Sequence, residues 1–269
     1  MSTASTRLPA GARDALAAAY AELFTALQAE ENPPGRLEIV RGTQCSRTVG
    51  VDEPGWSLYL NQASGLGLRE PATEQSVDDV LSFYGPSRGP YVVAVDPEAQ
   101  PRALAGWLEA RGLRRRLVLA RSQRMPDAAA PIPGGFRIET IGTDRAEAYV
   151  ALAGQGLPAA VGRGVAALVG RPGWRHSVAL DGDTPVAAGA LFTQEGIACL
   201  CWSATLAAHR RHGAHTALIA HRLRQAAEQG CSLAVAETLE ASSNRPGASL
   251  RNLVRAGFQV THQVRVYVG

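Results

Sequence analysis

The chain has 269 residues, of which 46% are apolar and 19% charged, with a net charge of +3 and a mean hydropathy of −0.06. That is the composition of a globular chain long enough for two domains, and it excludes a disordered one. All 27 basic residues are arginine, so chemistry that needs a lysine is excluded as well: a pyridoxal Schiff base, a Walker-type phosphate loop or a lysine general base.

The mild positive charge does not make a nucleic-acid surface. The first residues lack a hydrophobic signal core, and no uncharged stretch approaches the roughly 20 residues that span a bilayer. The expectation is a cytoplasmic protein with neither nucleic-acid nor membrane partners. Four cysteines (Cys45, Cys199, Cys201, Cys231) include no C-x-x-C pair, and no histidine lies beside the Cys199/Cys201 pair to complete a zinc set, so no metal is expected.

In chain order, Gly65-Leu66-Gly67 and Arg69-Glu70 precede a helix rich in Asp and Glu that ends near Tyr84, and no basic glycine turn opens that helix. Tyr91–Asp96 reads as a strand and Pro101–Ala110 as a helix stopped by Gly112. Leu117–Arg121 reads as a strand with Arg114–Arg116 as its solvated start. The stretch from Asp127 to Gly135 is small, Pro/Gly-rich and nearly uncharged, which marks a linker. The domain expectation is 1–127, a linker at 128–134, and 135–269.

In the second half Phe136–Ile141 alternates as a strand does, and Asp144 is placed to cap a helix through Ala153. Ala159–Val169 is a second short helix. Strands follow at His176–Leu180, Pro185–Phe192 and Ile197–Ser203, the first two joined by the hairpin signal Asp181-Gly182-Asp183. A helix runs from Gly213 to Gln229 with Gly230 as its stop, then a strand over Ser232–Thr238. A helix over Ala248–Ala256 is stopped by Gly257, and Phe258–Val268 is a final strand. Val93–Ala99 aligns with Val235–Ala241, and Leu108–Leu113 with Leu253–Phe258, in the same order. Two ordered matches predict a tandem repeat of one fold.

The chemistry concentrates at Arg210-Arg211-His212-Gly213-Ala214-His215-Thr216, between a strand and a long helix. The first amides of a helix have no internal partner, and its dipole favours an anion there. Gly213 lets the backbone approach a ligand closely, and two arginines supply charge-assisted contacts. A pyrophosphate fits that geometry.

This turn and the later Ser249–Phe258 stretch resemble the GCN5-related N-acetyltransferase (GNAT) family, the first its acyl-CoA pyrophosphate signature and the second its last helix and following strand. The resemblance covers roughly residues 134–269. It implies an α/β fold of two GNAT-like domains in tandem, each a mixed, mostly antiparallel sheet flanked by helices, the N-terminal one degenerate. It implies that Arg210 and Gly213 occupy signature positions, and that the amides of Arg211, His212, Gly213, Ala214, His215 and Thr216 cradle the diphosphate of acetyl-CoA. Thr205 and Leu206 would pair with the pantetheine arm, and Asn244, Ser249 and Asn252 would touch the arm or its thiol end. Two positions depart from the family. His215 stands where Gly or Ala is usual. Leu253 stands where many members carry a tyrosine acid, which leaves the thiolate proton to another group or to water, or leaves catalysis reduced or absent.

Glu237, a carboxylate in a mostly apolar strand, is a candidate base or amine ligand, or the partner of an arginine. Cys199 and Cys201 read as packed thiols. Trp56, Tyr59, Phe83, Tyr84, Trp174 and Trp202 line an acceptor site or belong to the core. The expected function is acetyl transfer from acetyl-CoA to a primary amine of a small molecule or peptide, by a monomer or homodimer. The alternatives are a non-catalytic acyl-CoA-binding regulatory module and an acyltransferase using a carrier-protein thioester.

Overall fold

The computed structural model describes residues 8–29, 35–48, 60–85, 89–129, 131–133, 135–153, 159–240 and 246–269. Asn244, Trp56 and Tyr59 lie outside the described residues.

The elements in chain order are α1 (Ala10–Gln28), β1 (Gly35–Val40), β2 (Thr43–Thr48), β3 (Gln62–Ser64), α2 (Glu74–Tyr84), β4 (Val92–Val95), α3 (Leu104–Ala110), β5 (Arg114–Arg124), β6 (Arg137–Ile141), α4 (Ala146–Ala153), α5 (Ala159–Ala166), β7 (Trp174–Asp181), β8 (Thr184–Gln194), β9 (Ile197–Thr205), α6 (Ala214–Glu228), β10 (Leu233–Glu240), α7 (Ala248–Arg255) and β11 (Gln259–Val268). Two compact units emerge, neither contiguous in sequence. One takes residues up to Ala26, Arg121–Glu237 and Ala248–Thr261. The other takes Leu27–Ala120, Thr238–Gly247 and His262–Gly269. Strands β5, β10 and β11 therefore contribute residues to both.

In the first unit β6, β7, β8 and β9 form an antiparallel meander. Strand β10 then pairs parallel with β9, at Leu233–Val235 against Ile197–Cys199. A parallel neighbour needs a crossover, and α6 supplies it. Its apolar positions Ile219, Leu223 and Ala226 pack on Leu191, Ala198, Leu200, Ala234 and Ala236, with Leu253 and Phe258 closing the cluster. Asp181 pairs with Thr184, so the hairpin turn is the two residues Gly182-Asp183. Asp144 is not the cap of α4: it sits inside a 3-10 turn, Thr143–Arg145, that precedes the helix, and Gly142 holds that turn's cap position without a side-chain bond. The aspartate is the second residue of that turn, past its cap position and ahead of the helix itself.

The second unit repeats the grammar in shorter form. β1, β2 and β3 are antiparallel, and β3 and β4 parallel across α2. Residues Arg265–Val268 of β11 pair antiparallel with Val92–Val95 of β4, which extends the sheet past β4. Val93, Val95, Leu104, Leu108 and Tyr267 share its core with Tyr84, which stacks on Tyr91 at 4.3 Å. The helix α2 is closed by a capping box: the Thr73 side chain accepts from the Ser76 amide, and Ser76 Oγ accepts from the Thr73 amide. Its first-turn amides are thus engaged by the chain itself. The repeat is visible as strand, helix, parallel strand, helix, strand in both halves of the sequence.

Candidate functional site

Strand β9 is irregular where it approaches α6. Ala188 faces Ala204 and Ala190 faces Cys201, so Gly189 alone lies opposite both Trp202 and Ser203, a β-bulge. Trp202 has φ +47°, which a bulky residue adopts only under constraint. Among the described residues the parallel ladder to β10 ends at Cys199, before this bulge. Beyond it lies a cleft of about 890 Å³ between the end of β9, the start of α6 and the helix α7.

Most of the residues expected at a diphosphate site come together there. Thr205, Arg210, Arg211, Gly213, Ala214, His215 and Thr216 line the cleft from one side, and Ser249 and Asn252 from the other. Gly213 caps α6 in the left-handed region, with φ +98° and no side-chain cap bond. Arg211 also takes positive φ, +69°. In contrast to α2, the first turn of α6 is left for something other than a capping side chain. Arg210 lays its guanidinium on the Thr205 carbonyl at 3.4 Å. Arg251 and Arg255 add two further arginines, and no carboxylate lines the cleft among the described residues.

Other expected residues stand elsewhere. His212 is exposed and is not part of the lining. The amide of Leu206 donates to the Val186 carbonyl at 2.9 Å, so it belongs to the sheet. Glu237 also does not line the cleft: its carboxylate accepts from Arg121 Nε at 2.8 Å, with both side chains at most 10% exposed. Of the three roles open to Glu237 in the sequence, arginine pairing is the one the structure contains. Leu253 is 4% exposed in the core between α6 and the sheet, so the missing tyrosine is replaced by a packing residue. Trp174, Trp202, Phe83 and Tyr84 are buried.

The imidazole of His215 is turned toward Asn252, whose side-chain amide lies 3.1 Å from Nδ1. The amide nitrogen can only donate, so Nδ1 accepts and the neutral ring carries its proton on Nε2. Burial, with a smaller contribution from the nearby Arg222 charge, pushes its pKa down to about 4. His176, packed between the Tyr149 and Trp174 rings, is also pushed down to about 4 by burial. Both rings are neutral in the folded protein and protonate more readily once unfolded. The stability they contribute is complete above the ordinary histidine range and is lost as pH falls through about 6.5 toward 4. Together they should cost about 2 kcal/mol between pH 7 and about 5.5. Denaturant midpoints against pH will show it, and His215→Asn should remove about half of that slope.

Burial pushes the Cys201 thiol up to about 12 and Cys199 well above its ordinary value, so neither is a thiolate nucleophile at neutral pH. No group of three potential metal ligands stands together among the described residues, and none of their helices is long and apolar enough to cross a membrane.

Sequence reasoning missed Arg222. It follows Ala214 and Leu218 on the buried stripe of α6 and is 1% exposed. The signal was an arginine where the helical period calls for an apolar residue.

No family model and no curated protein sequence matches the chain. Solved structures do. A GCN5-related N-acetyltransferase from Kribbella flavida is similar over 97% of this chain and 96% of its own, with TM-score 0.63 and 18% identity. A tandem GNAT protein from the clavulanic acid biosynthesis pathway is similar over 96% of each chain, with TM-score 0.56 and 16% identity. A GCN5-related N-acetyltransferase from Sphaerobacter thermophilus matches 73% of this chain and 64% of its own, with TM-score 0.57 and 15% identity. At these identities the likeness is one of fold, and two of the matches run the length of the chain. The chain has the fold of the GCN5-related N-acetyltransferases, in the tandem form.

Proposed function

We propose that the chain is an acyl-CoA-dependent N-acyltransferase that carries an acetyl or other short acyl group to a primary amine. The observation that carries this reading is the cleft itself. The first turn of α6 opens on it without a capping side chain, four arginines line it, and no carboxylate does among the described residues. Four positive charges beside a helix start without a capping side chain suit a ligand with several phosphate charges, as CoA has, better than the single phosphodiester of a carrier protein's arm.

In this reading the amides from Arg211 to Thr216 hold the diphosphate. Thr205 and Ser249 flank the pantetheine, and Asn252 acts in concert with His215. The thioester carbonyl is polarised by a backbone amide of β9, and the amine attacks it from a fixed position. The amine must lose a proton before or during attack. With Glu237 engaged by Arg121, water reaching the open cleft is the acceptor this reading uses. The thiolate is protonated in the same way, since Leu253 offers no acid. The acceptor is a small molecule or peptide amine in the cytoplasm.

The test is to incubate the protein with acetyl-CoA and a panel of amines while reading free thiol. Amine-dependent thiol release supports transfer. Tight acetyl-CoA binding without release from any amine makes the chain a binding module instead. Arg210→Ala should weaken acetyl-CoA binding about tenfold, the loss of one charge-assisted contact, as read by calorimetry. That loss should shrink at high salt, because Arg210 is exposed.

A further inference from the structure

Arg222 is a guanidinium sealed inside the first unit. Its hydrogen-bond partners are main-chain carbonyls: Nε donates to Leu218 at 3.1 Å, and Nη1 donates to Ala190 at 3.1 Å and to Cys201 at 3.2 Å. Burial lowers its pKa to about 10, so it is charged at neutral pH. Ala190 and Cys201 are cross-strand partners at one edge of the bulge. At the next peptide the buried Tyr149 hydroxyl donates to the Trp202 carbonyl at 3.3 Å. The room for this arrangement comes from Gly189, where an added Cβ would lie 3.0 Å from Arg222 Cζ and Nη1 and 3.2 Å from Ser203 Oγ.

We propose that Arg222 and Tyr149 are positioning residues that clamp the two kinked peptides of β9, and that the acyl thioester reads the orientation they impose through the amides of Trp202 and Ser203. In a planar trans peptide the N–H points opposite to the C=O. Holding the Cys201 oxygen therefore fixes the Trp202 N–H, and holding the Trp202 oxygen fixes the Ser203 N–H. Ser203 lines the cleft. Trp202 sits in the left-handed region, a conformation that reverts unless its surroundings hold it. A charged donor does this better than a neutral one, because hydrogen bonds to an ionised group are stronger.

The inference rests on the acyl-CoA reading and is tested beside it. Bound acetyl-CoA labelled with 13C at its carbonyl should show an infrared carbonyl stretch below that of the free ester, the signature of a hydrogen bond to the thioester oxygen. Tyr149→Phe and Gly189→Ala should reduce that displacement, and Arg222→Met should abolish it, with Arg222→Lys restoring part of it. In every folded variant the affinity for CoA without an acyl group should stay within about twofold of the parent, since the diphosphate cradle is untouched. A displacement that persists in both Tyr149→Phe and Gly189→Ala overturns the clamp, even where Arg222→Met fails to fold. A parent protein that binds acetyl-CoA with an undisplaced stretch overturns it too. A parent that binds neither CoA nor acetyl-CoA overturns the acyl-CoA reading, and the clamp's role in it with it.

Discussion

Gly213→Val should lower acetyl-CoA affinity by about 100-fold, the largest binding effect of any single change at the cleft. Gly213 holds φ +98° as the residue before α6. A β-branched residue enters that region only at a cost of about 1–3 kcal/mol. The chain relieves the strain by rotating the peptides on either side, and those peptides carry the amides of the proposed cradle. Two displaced charge-assisted contacts, at about 1.5 kcal/mol or more each, give the stated factor. The added Cβ itself has space, with Phe136 Cε2 at 3.8 Å, so the effect is conformational and Gly213→Ala should show most of it. Calorimetric titration with acetyl-CoA measures the loss, and circular dichroism confirms that the fold persists. Unchanged affinity in Gly213→Val removes the cradle from the proposed function.

The turn at Gly213 was legible because its signals are local: two arginines, a glycine and a helical period in one run of residues. The same holds for the repeat. Val93–Ala99 and Val235–Ala241 are strand ends that share both residue pattern and place in the order of elements, and the structure shows each followed by a helix and a strand. The division into compact units was less legible. The Pro/Gly-rich stretch after Asp127 interrupts regular structure, yet Arg121–Arg124 are grouped with the first unit and His262–Gly269 with the second. A unit boundary that falls inside a strand leaves no mark in composition, because the strand reads the same on either side of it. The helix α1 and the β1–β2 hairpin carry little signal in the sequence. Ala-rich α1 lacks a clear polar face, and β1 is exposed or partly exposed at five of its six positions, so alternation is weak. Arg222 was invisible for the opposite reason. Its type was plain, but only tertiary packing shows that its partners are carbonyls from two strands and from its own helix.

The ion pair of Arg121 and Glu237 governs the second large effect. Glu237→Ala should destabilise the protein by about 3–5 kcal/mol, because it leaves a buried guanidinium without its carboxylate. Side chains exposed by 10% and 5% place the pair out of reach of solvent screening. Removing both charges is different: Arg121→Leu with Glu237→Leu trades two desolvated ions for apolar contact, and should recover most of the loss. Urea midpoints on the two single variants and the double variant measure this, and the coupling between the sites should approach the sum of the two single costs. The same double variant separates packing from chemistry. If Glu237 serves only Arg121, a refolded double variant retains amine-dependent thiol release at the parental rate. If Glu237 accepts the ammonium proton, that variant is stable and loses turnover, with the loss falling as pH rises and more of the amine is neutral in solution. A carboxylate held by an arginine and absent from the cleft lining is out of reach of the amine's proton, so the first outcome is the one expected.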